Sequence, residues 1–140
     1  MSLQKSIEEM FKQKKERRWD KLFISIDLHN TIIKSGRNIP LYVFPEAERA
    51  LKYLNTIDYI TLILYTSTKV EQLEEFYIWC MHNDIKFSYL NENPECASSS
   101  KNGDYTKKYY SNLILDDKAG FDHITDWDIL INTIERLRHG

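Results

Sequence analysis

Three apolar, β-branched runs in this 140-residue chain each stop at side chains that could do chemistry. KLFISI (Lys21 to Ile26) ends at Asp27, with His29 and Thr31 close behind; YITLILY (Tyr59 to Tyr65) ends at Thr66-Ser67-Thr68; NLIL (Asn112 to Leu115) ends at Asp116-Asp117. Lys101, Lys107 and Lys108 precede the last of these runs. Carboxylates, hydroxyls, an imidazole and an amine are the groups from which a nucleophile, an acid/base and charge neutralisation are drawn. Singly, an Asp or Thr after a strand is more often a turn former or helix cap. The order argues otherwise: strand then Asp-x-x-x-Thr, strand then Thr, a Lys, strand then Asp-Asp.

For these residues to meet, the three runs must be neighbouring strands. Short apolar runs rich in Ile, Leu and Val mark strands buried on both faces of a parallel sheet. Between them lie helical patterns: Glu46 to Asn55 behind Pro45, with Ala47, Ala50, Leu51 and Leu54 on one face, and Lys69 to Asn83, with Leu73, Phe76, Tyr77 and Cys80 on one face. A polar helix at about 5–18, read from Ile7 to Arg18, precedes the first strand, and Trp127 to Arg138 reads as a final helix. A short strand is expected at Lys86 to Leu90. Residues 32–43 (IIKSGRNIPLYV) carry β-formers around Gly-Arg-Asn and predict a hairpin or flap rather than a crossover helix. The alternation predicts one α/β domain over 1–140, a three-layer Rossmann-like fold with a mainly parallel sheet flanked by helices. Ligand sites in such sheets lie beyond the carboxyl ends of the strands, where Asp27, Thr66 and Asp116-Asp117 fall.

Composition bounds the rest. A net charge of -2 gives no global reason to expect nucleic acid or an anionic membrane as main partner. Four glycines and three prolines argue against long low-complexity stretches. Cys80 and Cys96 match no metal-ligand spacing and are expected as reduced thiols. No run approaches the ~20 apolar residues that span a bilayer, so the expected location is cytoplasmic, with no membrane partner. His82, His123 and His139 have no partner spacing and are expected in surface or helix-end roles; Tyr105, Tyr109 and Tyr110 are expected to pack at the sheet edge, and the Lys/Arg run at 12–18 to be a solvated helix face.

LFISIDLHNTII resembles the first motif of the haloacid dehalogenase superfamily, strand then Asp-x-Asp-x-Thr, with His29 in place of the second Asp. LILYT resembles the second motif, and KKYYSNLILDD the third and fourth, so that the likeness spans Lys21 to Asp117. Trp79-Cys80 and LILDDKAGF resemble small hydrolase-like members. The resemblance implies a phosphatase, a phosphoric monoester hydrolase in which Asp27 attacks phosphorus to form an aspartyl-phosphate. Thr31, Thr66, Ser67 and the motif lysine would hold the phosphoryl group. Lys108 fits the spacing better than Lys107, with Lys101 an outside candidate. Mg²⁺ is the implied cofactor, held by Asp27, Asp116, Asp117 and the backbone carbonyl of His29. His29 would also replace the family's acid/base Asp, an imidazole titrating near ~6.5 being suited to that work.

Only about thirty residues separate the first and second motifs, too few for an inserted cap domain. Capless members tend to take large substrates, so a phosphorylated small molecule, a nucleotide or a polynucleotide end are all open. The alternative is a catalytically silent or slow module that binds phosphate, nucleic acid or protein, since His29 departs from the family pattern. A response-regulator receiver also uses Asp, Thr, Lys and Mg²⁺, but places its acidic pair first rather than last.

Overall fold

A computed structural model describes residues 2–36, 39–96 and 109–139 of the chain, leaving aside the side chains of Val70 and Glu71. Helix α1 (Leu3–Arg17) leads into strand β1 (Leu22–Asp27). Helix α2 (Pro45–Leu54), strand β2 (Ile60–Tyr65), helix α3 (Val70–His82) and the two-residue strand β3 (Tyr89–Leu90) follow. Strand β4 (Leu113–Leu115), a 3-10 turn (Asp117–Ala119) and helix α4 (Asp126–His139) complete the described chain. The strands form one sheet in the order β3-β2-β1-β4, every described pairing parallel. A parallel sheet flanked by four helices is the Rossmann-like α/β fold that the alternation predicts.

Burial explains why β1 is central. Leu22, Ile24 and Ile26 join Leu62 and Leu64 of β2 and Leu113 and Leu115 of β4 in a core cluster reached by all four helices. Phe23, Ser25 and Ile63, of the opposite parity, are buried outside that cluster. Phe23 meets the Tyr110 ring edge-on at 6.4 Å, and Ser25 pairs with the Ser111 hydroxyl. A strand buried on both faces must be apolar at nearly every position, as KLFISI is.

Two expectations change in detail. The strand predicted at 86–90 shrinks to Tyr89–Leu90, because Lys86 gives its N–H to the Asn55 side chain at 2.9 Å and the ladder is joined only from Ser88, whose N–H meets the Leu62 carbonyl. The first helix starts earlier, at Leu3, capped by the Ser2 hydroxyl on the Lys5 N–H. The flap pairs with itself at its base: Lys34 N–H reaches the Tyr42 carbonyl, Phe44 N–H the Ile32 carbonyl, and Ile33 bridges Val43 in antiparallel fashion. Arg37 and Asn38, at its turn, lie outside the described residues. No helix among the described residues is long and apolar enough to cross a membrane.

Candidate functional site

Register brings the chemistry together. Asp27 is level with Tyr65 of β2, so Thr66 stands one residue beyond it; on the other side Ile26 pairs with Leu115, so that the next residue of each strand is an aspartate. After Asp27 the chain must turn at once to free the sheet's rim. The Leu28 carbonyl accepts the N–H groups of Ile32 and Ile33, and Asn30 takes the left-handed conformation, φ 62°, which asparagine tolerates better than most residues. The turn is anchored from behind: the Trp127 indole, fully buried at the start of α4, donates to the Thr31 carbonyl at 2.9 Å.

Thr31 is itself fully buried, and its hydroxyl is engaged on both sides. It donates to Asp27 Oδ2 at 3.4 Å and accepts the Asp117 N–H at 3.2 Å. Both partners are protein groups at the ends of neighbouring strands. Thr31 braces the ends of β1 and β4 against each other, beneath the site.

Asp27, Asp116 and Asp117 each bring a carboxylate oxygen within 4.8 Å of the others, all three half-buried. Such crowding is costly to three negative charges. The Asp27 carboxyl is pushed up to about 7, first by burial, then by a hydrogen bond with Asp117 and by the charges of Asp116 and Asp117, against a smaller lowering by the Leu28 N–H. Asp116 also does the ordinary work of a cap, accepting the Lys118 N–H at 3.0 Å at the start of the 3-10 turn. Cap and acidic cluster are compatible because a carboxylate has two oxygens.

Beside the carboxylates stands a shelf of hydroxyls. The Thr66 backbone is clamped by Asn91, whose side-chain oxygen accepts the Thr66 N–H at 2.9 Å while its NH₂ donates to the Thr66 carbonyl at 2.7 Å. Thr66 Oγ1 donates to Thr68 Oγ1 at 3.0 Å and accepts the Thr68 N–H at 3.2 Å. His29 Nε2 meets the same Thr68 Oγ1 at 2.8 Å, and its Nδ1 is buried with no partner among the described residues. A bare ring nitrogen is tolerated in burial better than an orphaned N–H, which favours the neutral tautomer with the proton on Nε2, pointing at Thr68. The Thr68 proton is then free for another acceptor.

Of the residues singled out in the sequence, Asp27, Asp116 and Asp117 come together, Thr66 adjoins them along the strand register, and His29 reaches Thr66 through Thr68. Ser67 is exposed beside Thr66. Lys101, Lys107 and Lys108 lie outside the described residues, as does Tyr105. Tyr109 and Tyr110 pack against Tyr65 and Phe23, as expected of residues at the sheet. His139 pairs with Glu135 on α4, and His123 stacks on Phe44 at 3.7 Å. Sequence reasoning missed Asn91 and the role of Thr68. Asn91 follows a two-residue strand and has φ 54°, so a lone Asn after an apolar pair was the one available signal.

Fold and site together define a Rossmann-like α/β domain with an acidic cluster and a hydroxyl shelf on the carboxyl rim of its sheet. A solved structure of a conserved protein coded by a locus of Bacteroides thetaiotaomicron is similar to it. The two are 27% identical, with a TM-score of 0.62, over 83% of this chain and 91% of that one. No family model and no curated protein matches the chain.

Proposed function

We propose that this chain is a Mg²⁺-dependent phosphatase of the haloacid dehalogenase type, working in the cytoplasm through an aspartyl-phosphate on Asp27. The observation that carries the reading is the meeting of Asp27, Asp116 and Asp117 within 4.8 Å at the rim of a parallel sheet. Three hard oxygen donors that repel one another suit Mg²⁺, and the His29 carbonyl would complete the protein's share of ligands. The ion, when bound, would supply positive charge to the carboxylates and the phosphoryl oxygens.

The chain's own residues account for the rest. An Asp27 oxygen attacks phosphorus, the bond from phosphorus to the leaving oxygen breaks, and that oxygen takes up a proton. Doubly protonated His29 can deliver it through Thr68, Nε2–H passing to Thr68 Oγ1 while the Thr68 proton passes to the leaving oxygen. Water then attacks the acyl phosphate, its proton returns to His29 by the same path, and phosphate leaves with the Asp27 carboxylate restored. Ser67 supplies a hydrogen bond to a phosphoryl oxygen, and Thr66 adds one when its hydroxyl turns from Thr68 Oγ1 to the phosphoryl group. Thr31 holds Asp27 in place. A finite rate on p-nitrophenyl phosphate with Mg²⁺ is expected, and Asp27→Asn should lower it by about a thousand-fold or more. A rate unchanged by that substitution would sink the proposal.

One observation favours a second reading, a slow or silent module that binds phosphate, nucleic acid or protein. His29 Nδ1 is buried with no hydrogen-bond partner among the described residues, so Thr68 alone orients the ring that would have to serve as acid and base. If that alone holds turnover down, His29→Asp should raise the rate.

A further inference from the structure

We infer that Asn91 is a positioning residue: by gripping the main chain of Thr66 it aims the Ser67 N–H at the oxygens of a phosphoryl group attacked by Asp27. The inference rests on the phosphatase reading and adds to it a residue that none of the strand-end motifs contains. Strand β2 turns alternate residues to alternate neighbours. The Ser88 N–H meets the Leu62 carbonyl and the Asn91 N–H the Leu64 carbonyl, both at 2.9 Å, so its even-numbered residues face β3. On the other side the Leu22 N–H meets the Tyr59 carbonyl at 2.8 Å, so the odd-numbered ones face β1. At Asn91, φ 54°, the chain of β3 leaves the ladder. Its side chain then takes the next rung, donating to the Thr66 carbonyl at 2.7 Å and accepting the Thr66 N–H at 2.9 Å.

A trans peptide sets its N–H opposite its C=O. With the Thr66 carbonyl held toward Asn91, the Ser67 N–H is directed to the β1 side, beyond Tyr65, the register partner of Asp27. There β1 has already turned away, its Leu28 carbonyl accepting Ile32 and Ile33, and Ser67 makes no hydrogen bond among the described residues. A free donor beside the reactive carboxylate suits an anionic phosphoryl group, provided that its direction is fixed before the substrate arrives. The bland alternative is that Asn91 only ends β3, since asparagine tolerates the left-handed conformation. Glycine would serve that purpose equally well, but glycine cannot grip Thr66.

The test compares wild type, Asn91→Gly and Asn55→Ala on p-nitrophenyl phosphate with Mg²⁺. Asn91 is exposed and glycine accepts its φ, so Asn91→Gly keeps the turn and the core while deleting the grip. Asn55 is the control: its amide likewise holds two backbone groups, the Lys86 N–H at 2.9 Å and the Leu51 carbonyl at 2.8 Å, at the end of α2. Asn91→Gly should lower kcat/KM by roughly ten-fold or more and raise the inhibition constant of inorganic phosphate by about three-fold or more, because substrate and product both lose an aimed donor. The Mg²⁺ concentration for half-maximal rate should stay within about two-fold, the carboxylates being untouched, and Asn55→Ala should keep kcat/KM within about two-fold. An Asn91→Gly rate within about two-fold of wild type, an equal loss in Asn55→Ala, or a Mg²⁺ requirement that moves as far as kcat/KM would overturn the inference and leave the phosphatase standing. Absence of turnover by the wild type would remove the phosphatase reading, and this inference with it.

Discussion

The rim of β1 and β4 and the flap beyond it adjoin each other in sequence and share the candidate site, yet they are built to opposite specifications. At the rim, Asp27, Thr31 and Asp117 are joined by hydrogen bonds and backed by Trp127, which is fully buried. The described part of the flap is held by bonds at its base, and Lys34, Ser35 and Gly36 are exposed. A reacting carboxylate must be fixed closely, because small displacements cost large factors in rate. On the phosphatase reading, the sheet would hold the reacting groups and the flap would only border them, so the flap would tolerate change that the rim would not.

That division is broken most severely from behind the rim. Trp127→Ala removes a large core side chain and the donor to the Thr31 carbonyl, and should cost about 3–5 kcal/mol in urea unfolding. Thr31→Val keeps the shape but removes the brace. It should cost about 1–2 kcal/mol of stability and lower kcat by roughly ten-fold or more with little change in KM, as expected of a residue that acts through Asp27.

Asp27 supplies a subtler distinction. Its folded pKa of about 7 stands above the usual carboxylate value of 3.8, so between those values the folded protein holds a proton that the unfolded chain has lost. Without divalent cation, stability should therefore fall as pH rises from about 4 to 7, and the fall should flatten in Asp27→Asn. Added Mg²⁺ should flatten it too, by favouring the ionised carboxylates. Thermal melts across that range, with and without the ion, check both points.

The flap should respond least. A Cβ at Gly36 would meet Ile39 Cδ1 at 3.0 Å, the end of a side chain that can give way. Gly36→Ala should thus change stability by no more than about 0.5 kcal/mol, measurable by the same unfolding curves. A loss comparable to that of Thr31→Val would show the flap to be part of the rigid frame.

Much of the rim was legible in the sequence because its signals are local. An apolar run ending in a polar residue gives a buried strand with a reactive group at its tip, and three such endings, Asp27, Thr66 and Asp116, in one α/β order imply one rim. Thr31 was legible as a motif position, but its bracing contacts were not, because nothing local says that Trp127, 96 residues away, bonds its carbonyl. Thr68 and Asn91 needed the tertiary fold: one gains meaning from His29 across 39 residues, the other from Thr66 across 25. The strand at 86–90 was overread because apolar alternation cannot reveal that Lys86 bonds a side chain instead of the ladder.

The central claim is that Asp27 carries phosphate, and covalent capture addresses it most directly. The protein is mixed with radiolabelled acetyl phosphate and Mg²⁺, quenched in acid within the first turnovers and digested, and the labelled peptide is sequenced. The account predicts hydroxylamine-labile label on Asp27, absent from Asp27→Asn. Phosphate release with no label on Asp27, or label retained in Asp27→Asn, would contradict it.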